Sequence, residues 1–431
     1  MANSRINILN SWNKSWINIV LAISIFISVN TSIWAQPKFQ NPQQLSNEAQ
    51  ISILTIDRAD EQLFQAFGHI CIYLYDPANQ LDRVYSYGSF DFSTENFYWK
   101  FITGQLPYQI SVSNLQYTLL EYSEQYENRS VLKQELVLSS SQKQRVFDIL
   151  EENLLPENRT YQYKFFQDNC STRIRDVFKK AMGDSLKFTT EGIEQEKNFR
   201  FWMNRNLPNT PWAKFGMNLA IGNPSDKIIT NEEAFYIPDN MRIAFNNASN
   251  GTQRLVRNSV PLFSANRNFL KKGFDFSPIG CFTILFLLGI IYTIYQKYVN
   301  SKAIWFDVSL LFITGIVGLV IVFLWFFTSH GVTQYNWNLL WAWPTNIAVA
   351  FMLKNKSKWL LGYLNVYLVV LIVGLFFAQF SHFFTNEIYP SGIKPFLLLV
   401  IFRLAHLLKN SNSETNESKN MFQILMKPFQ K

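Results

Sequence analysis

The stretch FFQDNCSTRIRD, from Phe165 to Asp176, decides which fold the first half of the chain adopts. Apolar residues after Cys170 recur with the spacing of a helix, and Gly183 is a typical helix stop. Asp168 or Asn169 can cap the start of this helix. Cys170 therefore falls in the first helical turn, where unpaired backbone N–H groups and the helix dipole stabilise a thiolate.

A strand pattern lies upstream in GHICIYLYD, Gly68 to Asp76. Its alternation places His69 and Cys71 on one face of a predicted strand, and a turn then leads into a second strand. Between residues 36 and 275, His69 is the only histidine, and Cys71 and Cys170 are the only cysteines. If Cys170 is reactive, the only histidine that can serve as its base in this part of the chain is His69.

Three roles stay open for Cys170 on these residues alone. It can be a buried inert thiol, it can pair with Cys71 in a disulfide, or it can be a nucleophile activated by His69. An exported domain with two thiols often pairs them, so the spacing supports the disulfide and the Cys–His dyad about equally. The sequence has no Gly-rich phosphate loop, no serine nucleophile elbow and no zinc-type cysteine spacing, and we predict no cofactor and no metal.

The start of the chain has the order of a secretory signal. Residues 1–16 contain Arg5 and Lys14 and no acid, an apolar run follows, and small residues precede Gln36. This order predicts a signal peptide over residues 1–35, or an uncleaved anchor, ahead of an exported domain.

The second half of the chain is a series of long uncharged segments that predict membrane helices. Three segments reach the length of roughly 20 residues that a helical span needs, and two are weaker because they contain Pro344 or Arg403. The five segments are Ile279–Gln296, Val308–Thr328, Leu339–Leu353, Trp359–Phe380 and Pro395–Leu408. Lysines occur in alternate loops, which is the positive-inside pattern of five spans.

This topology predicts an exported domain at residues 36–275, a membrane domain at residues 276–410 and a cytoplasmic tail at residues 411–431. It describes a multi-pass protein of the inner (cytoplasmic) membrane whose exported domain lies on the periplasmic side. The 39 lysine and arginine residues exceed the 31 acidic ones and give a net charge of +8, which topology and contact with lipid account for. We therefore expect no nucleic-acid partner.

Several longer stretches resemble a known family. The strand with His69, a second strand and an Asn-Cys dipeptide at a helix start resemble the permuted NlpC/papain-like fold of the lecithin retinol acyltransferase group. A closer similarity is to the periplasmic domain of the Lnb-type lipoprotein N-acyltransferases. It lies in GHICIYLYD, VYSYGSFDFSTENFYWKFITGQLPY, YQYKFFQDNCSTRIRD, FGMNLAIGNPSD and EEAFYIPDNM. The resemblance implies an α+β soluble domain followed by an α-helical membrane domain of about five spans.

The resemblance also implies an acyltransferase with Cys170 as nucleophile and His69 as base. Its acyl donor is then a membrane phospholipid, and its acceptor is the α-amino group of the diacylglyceryl N-terminal cysteine of a lipoprotein. Asn169 is a candidate oxyanion donor. The candidates for orienting His69 are Tyr87, Ser86 and Asp91. The candidates for binding a lipid phosphate are Arg173 and Arg175, which can equally form ion pairs with nearby acids.

Two alternatives to this function stay open. One is a cysteine hydrolase of the cell envelope, acting as a peptidase, an amidase or a phospholipase on the same Cys–His dyad, since all of these reactions pass through an acyl-enzyme. The other is a non-catalytic membrane scaffold held by a Cys71–Cys170 disulfide. A free thiol on Cys170 would exclude the scaffold.

Overall fold

The structure is a computed structural model that describes residues 43–266, 277–355, 357–380, 389–390 and 392–426. The predicted signal peptide lies outside these ranges. The chain divides into Met1–Gln44 and one compact unit that begins at Leu45.

The soluble domain is built around a large antiparallel sheet. Its strands within the described residues are β1 (Gln50–Ile56), β2 (His69–Asp76), β3 (Leu81–Ser89), β4 (Pro107–Ser113), β5 (Val131–Leu136), β6 (Thr160–Gln162), β7 (Leu186–Lys187), β8 (Ser249–Asn250), β9 (Gln253–Arg254) and β10 (Val256–Phe263). The main sheet has the order β10-β5-β1-β2-β3-β4-β6, and β7, β8 and β9 form a small second sheet.

Helices pack on both faces of the main sheet. In the described part of the soluble domain they are α1 (Phe97–Ile102), α2 (Leu115–Tyr122), α3 (Ser140–Leu154), α4 (Cys170–Met182), α5 (Phe199–Arg205), α6 (Pro211–Ala220) and α7 (Pro238–Asn247). Helix α4 contacts β2 and β3, and α7 contacts β1 and β10. The main hydrophobic core therefore lies between the central strands and these helices.

Strand β2 confirms the predicted alternation. Ile70, Ile72 and Leu74 are fully buried in the main core. Cys71 and Tyr73 lie on the other face, in a smaller apolar cluster. Since successive side chains of a strand point to opposite faces, this one pattern fixes which residues of β2 meet the helices.

Helix α4 also confirms its prediction, and Asn169 is its N-cap. The Asn169 side chain accepts hydrogen bonds from the backbone N–H groups of Ser171 and Thr172, and the Thr172 hydroxyl accepts one from the Asn169 N–H. Its apolar stripe, Ile174, Val177, Phe178, Ala181 and Met182, is buried. Capping and burial together hold Cys170 at the first position of the helix.

The second half of the chain is helical. Its described helices are α8 (Pro278–Tyr298), α9 (Trp305–Phe326), α10 (Asn346–Met352), α11 (Lys358–Phe380) and α12 (Lys394–Met426). Three of them, α8, α9 and α11, are long and apolar enough to cross a membrane. They coincide with the three stronger predicted spans.

The two weaker predicted segments take other forms. The third segment breaks around Pro344 into a short 3-10 turn and the seven-residue α10, because proline has no N–H for a helix interior. A side chain at Gly315 of α9 would lie 2.6 Å from Ile347, so glycine lets the broken segment approach α9 closely. The fifth segment lies within the 33-residue α12, which contains Arg403.

Arg403 is fully neutralised inside the helical domain. Its guanidinium makes two hydrogen bonds of 2.7 Å to the Asp307 carboxylate, and each of these side chains is only 2% exposed. Its other hydrogen bonds are with Thr293 at 2.6 Å and Gln296 at 2.9 Å. Paired in this way, the charge can be buried among apolar helices and links α8, α9 and α12.

We expect Arg403→Met to destabilise the helical domain by about 3–5 kcal/mol, because it leaves the Asp307 carboxylate buried without its partner. The double variant Arg403→Met/Asp307→Leu removes both charges and should recover most of that loss. Thermal unfolding of the purified protein in detergent measures both effects. A single variant as stable as the wild type would show that the pair contributes little.

The soluble domain contacts the segment that follows α9. The Asn336 side chain donates to the backbone carbonyl of Leu219 at 2.8 Å. The Gly222 N–H donates to the backbone carbonyl of Val332, also at 2.8 Å. Gly222 has no room for a side chain because the Gln334 carbonyl lies against it. Helix α6 is thus held next to the end of α9.

Candidate active site

Cys170 lies where strands β2 and β3 separate. Their pairing runs from Asp76 and Leu81 to Ile72 and Tyr85, and it stops there although both strands continue. The start of α4 meets the open edges, and a β-carbon on Gly88 would lie 4.0 Å from that of Cys170. The backbone N–H of Ile70 on the open edge of β2 hydrogen-bonds the Cys170 sulfur.

His69 is the residue before Ile70, so it borders the same opening. Its Nε2 lies 2.8 Å from the Ser86 hydroxyl on the facing edge of β3. Ser86 therefore orients the imidazole. This contact leaves Nδ1 as the nitrogen that can exchange a proton with a reacting group.

The two site residues are neutral in the resting protein. Burial raises the pKa of Cys170 to about 11, although hydrogen bonds from the backbone of Ile70, Ser171 and Cys170 itself favour the thiolate. Burial, with the nearby charge of Arg129, lowers the pKa of His69 to about 4. The expected stabilisation of a thiolate by the helix start is thus outweighed by loss of solvent.

Arg129 is a charged neighbour of the site that no sequence motif indicates. It is 3% exposed, donates to the Asp57 carbonyl at 2.8 Å and pairs with Glu127 at 2.7 Å. Its position follows from sheet pairing, because Ile56 of β1 pairs with both His69 and Val131. The positive charge lowers the pKa of both His69 and Cys170.

The other two orienting candidates do not contact His69. The buried Tyr87 hydroxyl instead accepts a hydrogen bond from Asn153 at 2.7 Å. Asp91 is exposed and caps a local turn by accepting from the Ser93 backbone and hydroxyl at 2.8 and 2.7 Å. Of the three candidates, Ser86 alone is placed to orient the base.

Asn169 has no donor left for an oxyanion, so its predicted role as oxyanion donor is not supported. Its amide nitrogen already donates to the carbonyls of Phe165 at 3.0 Å and Tyr236 at 2.8 Å, while its oxygen caps α4. The backbone N–H groups near the start of α4 are the donors that face the sulfur. Asn169 instead holds this part of the backbone in place.

The two arginines of the motif are engaged in ion pairs. Arg173 forms a two-point contact with Asp168, at 2.5 and 2.7 Å, and lies over the Tyr161 ring. Arg175 contacts Asp176 at 2.7 Å. These contacts match the alternative that the two arginines form ion pairs with nearby acids. They argue against a role of either arginine as a free ligand for a lipid phosphate.

Cys71 and Cys170 are separate thiols and form no disulfide. Burial raises the pKa of Cys71 to about 12, so this thiol is protonated at neutral pH. The scaffold alternative required a Cys71–Cys170 bond, and the structure contradicts it.

A cavity of about 800 Å³ lies away from this site. Its lining comes from the helical domain alone, between the first turns of α9 and the end of α10, and includes Lys302 and Lys354. It has no residue in common with the opening around Cys170.

The fold and the site together define an α+β domain with a cysteine and a histidine at one opening, followed by a helical membrane domain. Two family models match the chain. The Lnb N-terminal periplasmic domain matches residues 41–200, and the Lnb transmembrane domain matches residues 270–413. No curated protein and no solved structure matches it.

The chain therefore belongs to the Lnb-type lipoprotein N-acyltransferase family. It is a membrane protein with a periplasmic N-terminal domain, and the family assigns it a general role in lipoprotein N-acylation.

Proposed function

We propose that this protein transfers a fatty acyl chain from a membrane phospholipid to the α-amino group of the diacylglyceryl N-terminal cysteine of lipoproteins. The observation that carries the proposal is the placement of Cys170 at a helix start, against the strand edge that bears His69. The family and the attached membrane domain supply the lipid context. We further propose that the protein is a multi-pass inner-membrane protein with this site on the periplasmic side.

In the first half-reaction, Cys170 attacks the carbonyl carbon of a phospholipid ester. His69 takes the thiol proton as the C–S bond forms, and it returns this proton to the leaving oxygen as the ester C–O bond breaks. The products are an acyl-thioester on Cys170 and a lysophospholipid. Backbone N–H groups at the start of α4 stabilise the negative charge on the carbonyl oxygen in the transition state.

In the second half-reaction, the lipoprotein amine attacks the thioester carbonyl. His69 accepts a proton from the amine, the C–S bond breaks, and the proton passes to the departing sulfur. An amide forms and the free thiol is restored. The neutral state of both residues fits this general-base route, because the thiol proton leaves only when the nucleophile attacks.

Burial of the nucleophile favours transfer over hydrolysis. The Cys170 side chain is 7% exposed, so little solvent reaches the carbon of a thioester formed there. A water-excluding site protects a reactive intermediate until the intended acceptor arrives. The hydrolase alternative has no comparable observation in its favour.

Mass spectrometry of lipoprotein N-termini tests the function in cells with and without this protein. We expect the amide-linked acyl chain to be present in the first and absent in the second. Restoring the wild-type protein from a plasmid should restore the chain. Unchanged triacylated N-termini in cells that lack the protein, with no other N-acyltransferase present, would overturn the proposal.

A further inference from the structure

Helix α1 carries an unusual surface for a soluble domain. Tyr98 is 76% exposed, Trp99 58% and Phe101 53%, and Phe92 just before the helix is 73% exposed. Contiguous apolar patches of this kind mark sites that contact another molecule or a membrane. The only charged residue within α1 is Lys100, whose long side chain can reach a lipid headgroup region.

The end of α1 is tied to the end of the membrane helix α9. The Ser329 N–H donates to the Thr103 carbonyl at 2.9 Å, and the His330 ring lies 2.9 Å from the Ile102 carbonyl. Trp99 packs on Phe323 of α9, with ring centroids 5.8 Å apart. Because α9 is long and apolar enough to span a bilayer, these contacts hold α1 at the level where α9 leaves it.

Gly104 shows how close this junction is. Its φ of +70° is a conformation that glycine adopts readily, and an added β-carbon would lie 2.9 Å from the His330 ring. The Gln162 side chain bridges the same junction, at 2.8 Å from both the Gly104 carbonyl and the Ser329 hydroxyl. The position of α1 on α9 is therefore specified by several independent contacts.

A row of aromatic rings leads inward from α1. Phe97 lies 5.8 Å from Phe90, Phe90 lies 5.4 Å from Tyr108, and Tyr108 stacks on Tyr163 at 4.5 Å. We call these four residues the aromatic row. Phe92 packs on Phe97 at 4.9 Å at the outer end of the row, beside the exposed surface of α1.

The inner end of the aromatic row reaches the nucleophile. A β-carbon on Gly88 would lie 3.7 Å from the Tyr163 ring and 4.0 Å from the β-carbon of Cys170. Because glycine has no side chain, the space at Gly88 between the Tyr163 ring and Cys170 is left unfilled by this residue. An apolar chain that follows the rings from α1 would therefore arrive at the sulfur.

We propose that the exposed face of α1 is immersed in the acyl chains of the outer leaflet, and that the aromatic row guides one phospholipid acyl chain to Cys170. Immersion follows from the contacts with α9 and from the apolar surface. Guidance to the sulfur rests on the proposed acyl-transfer function. The occupant of this surface is thus membrane phospholipid.

Photocrosslinking tests the lipid contact without any need for catalysis. The full chain carrying Cys170→Ala is placed in vesicles of phosphatidylethanolamine and phosphatidylglycerol, doped with a phospholipid that bears a diazirine in its acyl chain. Peptide mass spectrometry should find adducts on residues 97–102 and on Tyr108 or Tyr163. Tyr75, 40% exposed at the opposite end of β2 from His69, is the internal control and should stay unlabelled.

Adducts on α9 without any on α1 or on the aromatic row would overturn the proposal. The readout does not depend on turnover, so its failure is distinct from failure of the acyl-transfer function. Labelling of Tyr75 to the same extent as α1 would show unspecific contact and would also count against it.

Transfer activity supplies a second test on bilayer substrate. The triple variant Phe92→Ser/Tyr98→Ser/Phe101→Ser should lose activity by about tenfold or more, because polar side chains weaken partition into acyl chains. The matched triple leucine variant keeps the apolar surface and should restore most of the rate. Equal losses in the two variants, or no loss in the serine variant, would overturn the proposal.

Discussion

Cys170→Ala is expected to abolish formation of the amide-linked acyl chain on lipoprotein N-termini. The reason is chemical, since the proposed route has no other group that can carry the acyl chain between donor and acceptor. Removing the nucleophile of a covalent mechanism commonly costs several orders of magnitude in rate. Mass spectrometry of lipoproteins from cells that express only the variant measures the effect, and persistence of the chain would exclude Cys170 as the carrier.

Cys71→Ala is the matched control for that experiment. Cys71 is also a buried thiol of β2, but it lies in the apolar cluster on the opposite face of the sheet from the main core. Its replacement removes one buried sulfur and its hydrogen bond with Ser86, but it leaves the proposed acyl carrier Cys170 in place, so N-acylation should persist. A loss of activity equal to that of Cys170→Ala would point to a fold defect common to both variants.

The intermediate itself can be observed in the same preparation. Wild-type protein incubated with phospholipid but without acceptor should gain the mass of one acyl chain on the peptide that contains Cys170. Neutral hydroxylamine should remove this mass, because it cleaves thioesters. A stable adduct, or one on another residue, would contradict the proposed first half-reaction.

Local sequence pattern was sufficient for the two elements that carry the site. The alternation of β2 and the apolar stripe of α4 each report burial over a few neighbouring residues. The sequence predicts the two faces of β2 and the buried stripe of α4. The hypothesis that Cys170 acts with His69 followed from counting, because His69 is the only histidine between residues 36 and 275. The alternation of β2 and the stripe of α4 can be predicted because each depends only on which side chains of one segment are buried.

The supporting residues could not be predicted in the same way. The choice of Ser86 over Tyr87 depends on where β2 and β3 stop pairing, and Arg129 reaches the site through the pairing of β5 with β1. The Asn169 amide is occupied by carbonyls 4 and 67 positions away in the chain. Such contacts depend on strand register and on distant loops, which a single sequence does not reveal.

The electrostatics of the site differ from the sequence expectation for a physical reason. A helix start favours a thiolate by its dipole and N–H groups, and this effect is present at Cys170. Burial opposes it, and desolvation of a charged sulfur is the larger effect. The site therefore relies on a base that acts during attack, which makes the protonation state of His69 decisive.

His69→Ala is expected to lower the rate of thioester formation at pH 7 by about 10²–10⁴-fold, the range typical for loss of a general base. The base works only when neutral. Its pKa of about 4 keeps it neutral throughout the physiological range. Single-turnover acylation of Cys170 in detergent, followed by mass, measures the rate, and wild-type activity in the variant would remove His69 from the mechanism.

The pH profile gives a sharper test of the same residue. With the pKa of His69 at about 4, the wild-type rate should stay level from pH 8 to about 5.5 and fall only as pH approaches 4. Because the folded protein disfavours a proton that the unfolded chain accepts near pH 6.5, His69 should also lower stability as pH falls from about 6.5 to 4.

The variant Arg129→Gln distinguishes the electrostatic effect on the pKa of His69 from a general loss of structure. The charge of Arg129 lowers the pKa of His69, so its removal should move the acid limb of the profile to higher pH. Ser86→Ala should reduce the rate, because the His69 ring loses the hydrogen bond that orients it. Since Ser86 carries no charge, this variant should shift the midpoint of the acid limb less than Arg129→Gln does. An acid limb near pH 6.5 in the wild type would show that the His69 imidazole is solvated during turnover. Burial at the opening between β2 and β3 would then not set the pKa of this base.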